Sequence, residues 1–252
     1  MSPNDTRRAS LQGRRALVTG STGGLGVSIA KALAAEGAHV IVTGRNKVRG
    51  DAVVAEIRST GGEAEFVAAD LGAGEAEVRR LAASAGDVDI LVNNAGVWSD
   101  PAPTAAISEA TLLESYQANI IGPFLLTGAL VPAMAERGSG AVINIGSITG
   151  LIGGEQSALY YSTKAAVHSL TKSWAAEYGP AGVRVNAVAP GPIATERSAE
   201  TAEYLAPVLA RIPSRRMSTP EEVAATVVFL AGDSAPNIHG AVLSVDGGWA
   251  AV

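Results

Sequence analysis

Arg15-Ala16-Leu17-Val18-Thr19-Gly20-Ser21-Thr22-Gly23-Gly24-Leu25-Gly26 is the stretch that decides the fold. Its first half is a short apolar run ended by glycine, and from Leu25 to Gly37 apolar residues recur at helical spacing, so it reads as strand, tight turn, helix. Glycines at such a turn let backbone amides approach a pyrophosphate, which then sits at the positive N-terminus of the helix. Gly20, Ser21, Thr22, Gly24, Leu25 and Gly26 are therefore the expected cradle of a dinucleotide. In a chain with 29 glycines the turn alone says little; its place between a strand and a helix gives it weight.

The same unit repeats outward from there. His39 to Thr43 is a β-branched run broken by Gly44-Arg45-Asn46, with a helix expected over Asp51 to Thr60. Phe66 to Ala69 ending at Asp70, Asp89 to Val92 ending at Asn93, Ala141 to Ile145 ending at Gly146, Val183 to Val188 ending at Pro190-Gly191, and Ala241 to Val245 read as further strands with helices between. Short, nearly continuous apolar strands alternating with helices predict an α/β chain, a single-domain Rossmann-type doubly wound parallel sheet of about seven strands with helices on both faces. Neither a linker nor a second composition regime interrupts residues 1–252, so one dinucleotide-binding catalytic domain is expected. Residues 1–13 read as a loose tail, and residues 192–219, with Pro207 and Pro213, as an excursion over a site.

Composition narrows the function classes. The 252 residues carry 19 Lys+Arg against 24 Asp+Glu, a formal charge of −5, and 47% are hydrophobic with 17% charged, which excludes a disordered chain. The mild acidity lacks the basic footprint that nucleic acid or an anionic membrane attracts, so neither is an expected partner. The absence of cysteine removes disulfides, thiolate catalysis and Cys-bound zinc, and His39, His168 and His239 show no metal-ligand spacing, so no metal is expected. MSPNDTRRAS has no apolar core of a signal peptide. The longest apolar stretch, Ile120 to Ala135, is interrupted by Gly122, Pro123 and Pro132 and falls short of the ~20 residues that span a bilayer; the expectation is a soluble cytoplasmic protein.

The end of the second strand usually meets the adenosine ribose, where a carboxylate binds the 2′-hydroxyl of NAD and an arginine accommodates the 2′-phosphate of NADP. Thr43-Gly44-Arg45-Asn46 has no carboxylate; Arg45 offers a fork of donors to phosphate and Asn46 a neutral donor, so NADP(H) is favoured, with NAD(H) the second option and a solvated turn arginine the plain alternative. Asp70, followed by Leu71, is placed either to accept from the adenine amino group or to cap a helix.

Thr19 to Gly26 as TGxxxGxG, Asn93-Asn94-Ala95-Gly96, Asn119, Ser147, Tyr160-Tyr161-Ser162-Thr163-Lys164 and Pro190-Gly191, in that order and spacing, resemble the short-chain dehydrogenase/reductase family over residues 14–249. The resemblance implies an oxidoreductase that moves hydride between nicotinamide and a ketone or secondary alcohol. Elementary chemistry agrees, because carbonyl reduction needs a proton for the developing alkoxide and donors for negative oxygen. Tyr160 supplies the proton as general acid/base. A free phenol titrates near pH 10, and Lys164, four residues on along the same helix face, brings the cation that favours phenolate. Tyr161 lacks the YxxxK spacing and is assigned to packing. Ser147, directly after a strand, projects at the carboxyl end of the sheet as a donor to the substrate oxygen.

The resemblance further implies that Asn119 serves a water-mediated proton path to the lysine, that Asn93, Asn94, Ala95 and Gly96 wall the adenosine and the nicotinamide ribose, and that Pro190, Gly191, Ile193 and Thr195 adjoin the nicotinamide. Without it, Asn119 is a buried side chain bonding to backbone and Ser147 a turn cap. Tyr160 and Lys164 also belong to the expected cofactor site, and Ser147, Trp98, Ser99, Ile148, Gln156 and Tyr160 to the substrate side, under a lid from Glu196 to Arg216. Trp174 and Tyr178 read as core or subunit contact, and Trp249 with the tail as interface. A 3-oxoacyl-carrier-protein reductase is the nearest rival; its acidic carrier needs cations near the entrance, and Ala181 stands where those reductases often have a basic residue, although Arg137 is present and Leu159 replaces their frequent asparagine before the tyrosine. A non-catalytic dinucleotide-binding regulator is the more distant alternative. The resemblance implies a homotetramer built on the helices around residues 105–135 and 160–178.

Overall fold

A computed structural model describes residues 11–155, 157–196, 198 and 202–252. Seven strands, β1 (Arg15–Val18), β2 (His39–Gly44), β3 (Glu63–Ala68), β4 (Ile90–Asn93), β5 (Gly140–Ile145), β6 (Val183–Pro190) and β7 (Val242–Val245), form one parallel sheet in the order β3-β2-β1-β4-β5-β6-β7. The helices are α1 (Gly24–Ala35), α2 (Lys47–Ser59), α3 (Glu75–Ala85), α4 (Glu109–Tyr116), α5 (Gly122–Glu136), α6 (Ala158–Tyr178), α7 (Ala202–Leu209) and α8 (Pro220–Ala231).

The alternation of each strand builds two cores. Ala16 and Val18, Val40 and Val42, Ile90 and Val92, and Ala141 and Ile143 face α1, α2 and α8, while Leu17, Ile41, Leu91 and Val142 face α3, α5 and α6. Both faces are therefore apolar, which is why the strands read as continuous hydrophobic runs. Strand order reverses between β1 and β4, so their following loops diverge and open a crevice at the carboxyl ends.

Four boundaries differ from the sequence reading, each for a local reason. β3 begins at Glu63 rather than Phe66: as an edge strand it tolerates polar residues, and Glu65 is held by Arg15 at 2.9 Å and His39 at 3.2 Å. α2 begins at Lys47 rather than Asp51, because the Asn46 side chain caps it by accepting from the Arg49 amide at 3.0 Å. Residues 11–13 are docked and not loose, since Leu11 is only 2% exposed and its amide donates to the Glu36 carbonyl at 2.9 Å; the rest of the expected tail, 1–10, lies outside the described residues. Finally, α4, a π-helical turn (Gln117–Ile121) and α5 run on as one 28-residue helical segment that is long and apolar enough to cross a membrane by length and composition. Here it is a core helix: Leu126, Leu130, Val131 and Met134 pack onto the sheet. Pro123 does not stop it, because the π turn lies immediately before, where the missing proline N–H would otherwise break the ladder.

The excursion at 192–219 is tied at its base. Ile193 bridges Ser218, the Ser218 amide donates to the Pro192 carbonyl at 3.0 Å, and α7 lies within the loop. Beside it α8 opens with a Thr219–Glu222 capping box and closes on Arg184 of β6, whose guanidinium donates to the carbonyls of Leu230, Ala231 and Gly232. Arg184→Ala strips three carbonyls of their donor at a half-buried helix end. We expect a loss of about 2 kcal/mol, read as a thermal midpoint lowered by several degrees, with kcat per folded molecule unchanged.

Candidate active site

The crevice at the ends of β1, β2 and β4 is a cleft of about 440 Å³. Gly20, Thr22, Gly24, Leu25, Gly26, Arg45, Asp70, Leu71, Ala95 and Gly96, all expected at a dinucleotide, line it together. The glycines have separate reasons. Gly20 turns the chain at φ 65°, and a Cβ there would lie 2.9 Å from the Ala95 Cα; a Cβ on Gly26 would lie 2.4 Å from the Gly20 carbonyl oxygen, so α1 packs against the turn only without one. Gly24, at φ 52°, has nothing within 4 Å of its Cβ position and leaves the start of α1 open. An open helix N-terminus above a close-packed glycine turn is the cradle that a pyrophosphate requires, so these residues fit a dinucleotide.

Other expected cofactor residues do different work. Ser21 is fully buried; its hydroxyl donates to the Val18 carbonyl at 2.7 Å and accepts from the Thr43 amide at 2.9 Å, tying β1 to β2. The Asn46 oxygen is spent on the α2 cap. Asp70 realises the cap reading, accepting from the Gly72 amide at 2.9 Å, while its other oxygen lies 4.0 Å from the Arg45 guanidinium. Arg45 is 78% exposed at the rim, and that separation in solvent is a weak ion pair. Asn93 does not face the cleft: its amide nitrogen donates to Asn144 and Thr127 at 2.9 and 3.1 Å. Asn94 lines the cleft instead, donating to the Thr19 carbonyl at 2.7 Å and so holding the β4 loop to the glycine turn.

Tyr160 and Lys164 lie one turn apart on α6. The Lys164 ammonium, 6% exposed, donates to the Ile145 carbonyl at 3.0 Å and stands 5.6 Å from the centre of the Tyr160 ring. Burial pushes its pKa down to about 8, so it remains mostly charged at neutral pH. Ser147 follows β5 two residues after Ile145; its oxygen accepts from the Thr149 amide at 3.2 Å, which fills a lone pair and leaves the hydroxyl proton for another acceptor. Asn119 occupies the π turn. Its side chain accepts from the Val97 amide at 2.7 Å and donates to the Val97 carbonyl and the Thr163 hydroxyl, fastening the loop after β4 to α6. Proline at 123 also denies the Asn119 carbonyl its α-helical donor.

On the substrate side, Trp98 packs on Tyr160 with ring centres 4.5 Å apart and planes at 57°. Ile148 is 2% exposed, buried beneath its turn and not presented to a substrate, which corrects its expected role. Gln156 lies outside the described residues, as does part of the expected lid. Ser99 is bonded to Ser115 at 2.8 Å. Tyr161 packs over Gly154, and Trp174 is core, 5.8 Å from Phe124. Pro190 and Gly191 end β6, where a Cβ at 191 would lie 2.9 Å from the Asp246 Cα; Ile193 and Thr195 begin the excursion, the Thr195 amide donating to Ser198. None of these four lines the glycine cleft. Sequence reading missed the hydrogen-bonded chain Asn93–Asn144–Thr171 that ties β4 and β5 to α6. Its one signal was an asparagine inside an otherwise apolar strand.

A family model described as Enoyl-(Acyl carrier protein) reductase matches residues 20–250. The chain belongs to the short-chain dehydrogenase/reductase family, nicotinamide-dependent oxidoreductases acting on CH–OH and C=O groups. It is 36% identical to galactitol 2-dehydrogenase (L-tagatose-forming) of Cereibacter sphaeroides over 95% of this chain and 96% of that one. It is also 36% identical to the 3-oxoacyl-[acyl-carrier-protein] reductase FabG of Vibrio cholerae, over 95% and 98%. A solved structure of a candidate NAD(P)-dependent gluconate 5-dehydrogenase from Beutenbergia cavernae, with NADP bound at low occupancy, superposes with a TM-score of 0.92 at 40% identity, covering 97% of this chain and 100% of that one.

Proposed function

We propose that this chain is an NADP(H)-dependent enzyme interconverting a ketone and a secondary alcohol, with Tyr160 as general acid/base. One observation carries it: a buried, mostly charged Lys164 ammonium bonded to the end of β5 and held beside the Tyr160 ring. A dinucleotide held by the glycine cleft would supply the hydride from its nicotinamide. Tyr160 gives its hydroxyl proton to the carbonyl oxygen as negative charge develops there, and takes one back in the reverse direction. Ser147, already accepting from the Thr149 amide on one lone pair, donates to the same oxygen, and Lys164 stabilises the phenolate left on Tyr160. Asn119 keeps the loop carrying Gly96 and Trp98 against α6, and in our reading its carbonyl serves the proton path to Lys164. The assembly we expect is a homotetramer, consistent with the exposed Leu113 and Phe124 on the α4–α5 segment.

The preference for NADP(H) rests on Arg45, free at the rim apart from its weak pairing to Asp70, with no carboxylate at the end of β2. The NADP seen in the Beutenbergia cavernae relative agrees. We expect kcat/KM for NADPH to exceed that for NADH by more than tenfold, and Arg45→Ala to erase about 1.4 kcal/mol of that preference. A wild-type ratio near one returns Arg45 to a solvated turn and assigns NAD(H). The acyl-carrier alternative finds less support, because Arg137 is turned to the Val88 carbonyl, Asp87 and Asp89 rather than offered to an acidic partner.

A further inference from the structure

His168 lies one turn beyond Lys164 on α6, so Tyr160, Lys164 and His168 share a face, yet nothing in the reaction uses it. It is 4% exposed, and neither ring nitrogen has a hydrogen-bond partner among the described residues. Burial, with the Gly150 backbone pulling the other way and the Lys164 and Lys172 charges adding, holds its pKa down to about 4. The ring is therefore neutral at working pH and acts by shape. What it touches is specific. A Cβ on Gly146 would lie 2.2 Å from its Nε2, and a Cβ on Gly150 2.7 Å from its Cε1 and 2.8 Å from its Nδ1. These two glycines bracket the turn Ser147-Ile148-Thr149, and Gly150 also abuts the Lys164 backbone, its Cβ position 2.7 Å from that carbonyl carbon.

We infer that His168 is a positioning residue whose imidazole, wedged between Gly146 and Gly150, sets the turn that carries Ser147 against the helix that carries Tyr160 and Lys164. The turn's own bonds are few: the Gly146 amide donates to the Val188 carbonyl at 2.8 Å and the Gly150 amide to the Ser147 carbonyl at 3.0 Å. Neither fixes the distance to α6. One turn to either side, the Asn144–Thr171 hydrogen bond at 2.9 Å and the Lys164–Ile145 bond at 3.0 Å pin α6 to β5, and the ring between them is the contact that reaches the turn itself. The wedge is reciprocal at Gly146, where the three atoms nearest the Cβ position all belong to the ring, whereas Gly150 is held to glycine by the Lys164 backbone as well.

This inference rests on Ser147 acting on the substrate oxygen, and a double-mutant cycle separates the two. In His168→Ala we expect kcat for ketone reduction to fall about 10- to 100-fold, with NADPH affinity unchanged, because a donor displaced by about an ångström loses most of its effect. In Ser147→Ala the same His168→Ala change is expected to cost nothing further. Gly146→Ala alone is expected to impair kcat, and adding His168→Ala to restore part of it, a rescue that generic loss of packing does not give. Faster hydrogen exchange at Gly146 and Gly150 in His168→Ala, measured without substrate, reads the same displacement apart from chemistry. Should His168→Ala fail to fold, His168→Asn, which keeps a flat polar group, takes its place in the cycle. Equal losses from His168→Ala in both backgrounds, or no rescue with Gly146→Ala, overturn the positioning role while leaving Ser147 catalytic. Full turnover in Ser147→Ala alone overturns the catalytic reading and the positioning role with it.

Discussion

Tyr160→Phe is expected to lower kcat about 10³-fold while NADPH binds with unchanged affinity. Only the hydroxyl leaves. The ring keeps its packing on Trp98 at 4.5 Å, and Lys164 keeps its bond to the Ile145 carbonyl, so neither the pocket wall nor the buried ammonium is disturbed. The glycine cleft is lined by other residues, among them Gly20, Thr22, Gly24, Gly26, Asn94 and Gly96, and is untouched. Steady-state turnover of an unhindered ketone, set beside a fluorescence titration with NADPH, checks both halves. Turnover retained at the wild-type level assigns the proton to another group, and a parallel loss of cofactor affinity makes the phenol part of the cofactor site rather than the acid.

Strands with both faces buried are written in the sequence as unbroken apolar runs, and β1, β2, β4, β5 and β6 were legible for that reason. β3 was half hidden because an edge strand carries Glu63 and Glu65 outward to Arg15 and His39, partners 20 to 50 residues away. The glycine cradle was legible as spacing, but which donors face it was not. Asn93 and Ser21 sit beside true lining residues in sequence, yet Asn93, at the end of β4, points to the other side from Asn94 and bonds Asn144, and Ser21, inside the glycine turn, is sent inward to bond Val18. The YxxxK pair could be placed because a helix repeats every turn. Ser147's relation to it could not, since that depends on a turn packing across a ring eight residues past Tyr160, a contact with no local signature. Proline four residues after Asn119 carries a further signal: it marks where the helical ladder loses a donor and the π turn forms.

Lys164→Met is expected to split activity from stability. Turnover falls about 10²- to 10³-fold, because the cation that stabilises the phenolate is gone, while the unliganded protein becomes no less stable near pH 7. Two terms decide the second part. Removing the ammonium leaves the Ile145 carbonyl without its donor, a cost of about 1 to 3 kcal/mol. It also removes a buried charge whose pKa stands at about 8 instead of 10.5, a burden of about 3 kcal/mol on the charged native state. Methionine fills nearly the same volume and sits without penalty beside Val167 and Leu170, which line the same small cavity as Lys164. The pH dependence gives the sign. Below pH 8 the lysine is protonated in both the folded and the unfolded chain, and the native state carries the whole desolvation cost. Between pH 8 and 10.5 the folded protein sheds the proton first while the unfolded chain keeps it, so wild-type stability rises with pH relative to the variant. The thermal midpoint of Lys164→Met should therefore match or exceed that of the wild type at pH 7 and lose that advantage by pH 10. A midpoint lowered by the same amount at both values instead makes Lys164 chiefly a strut for the end of β5, with its charge incidental.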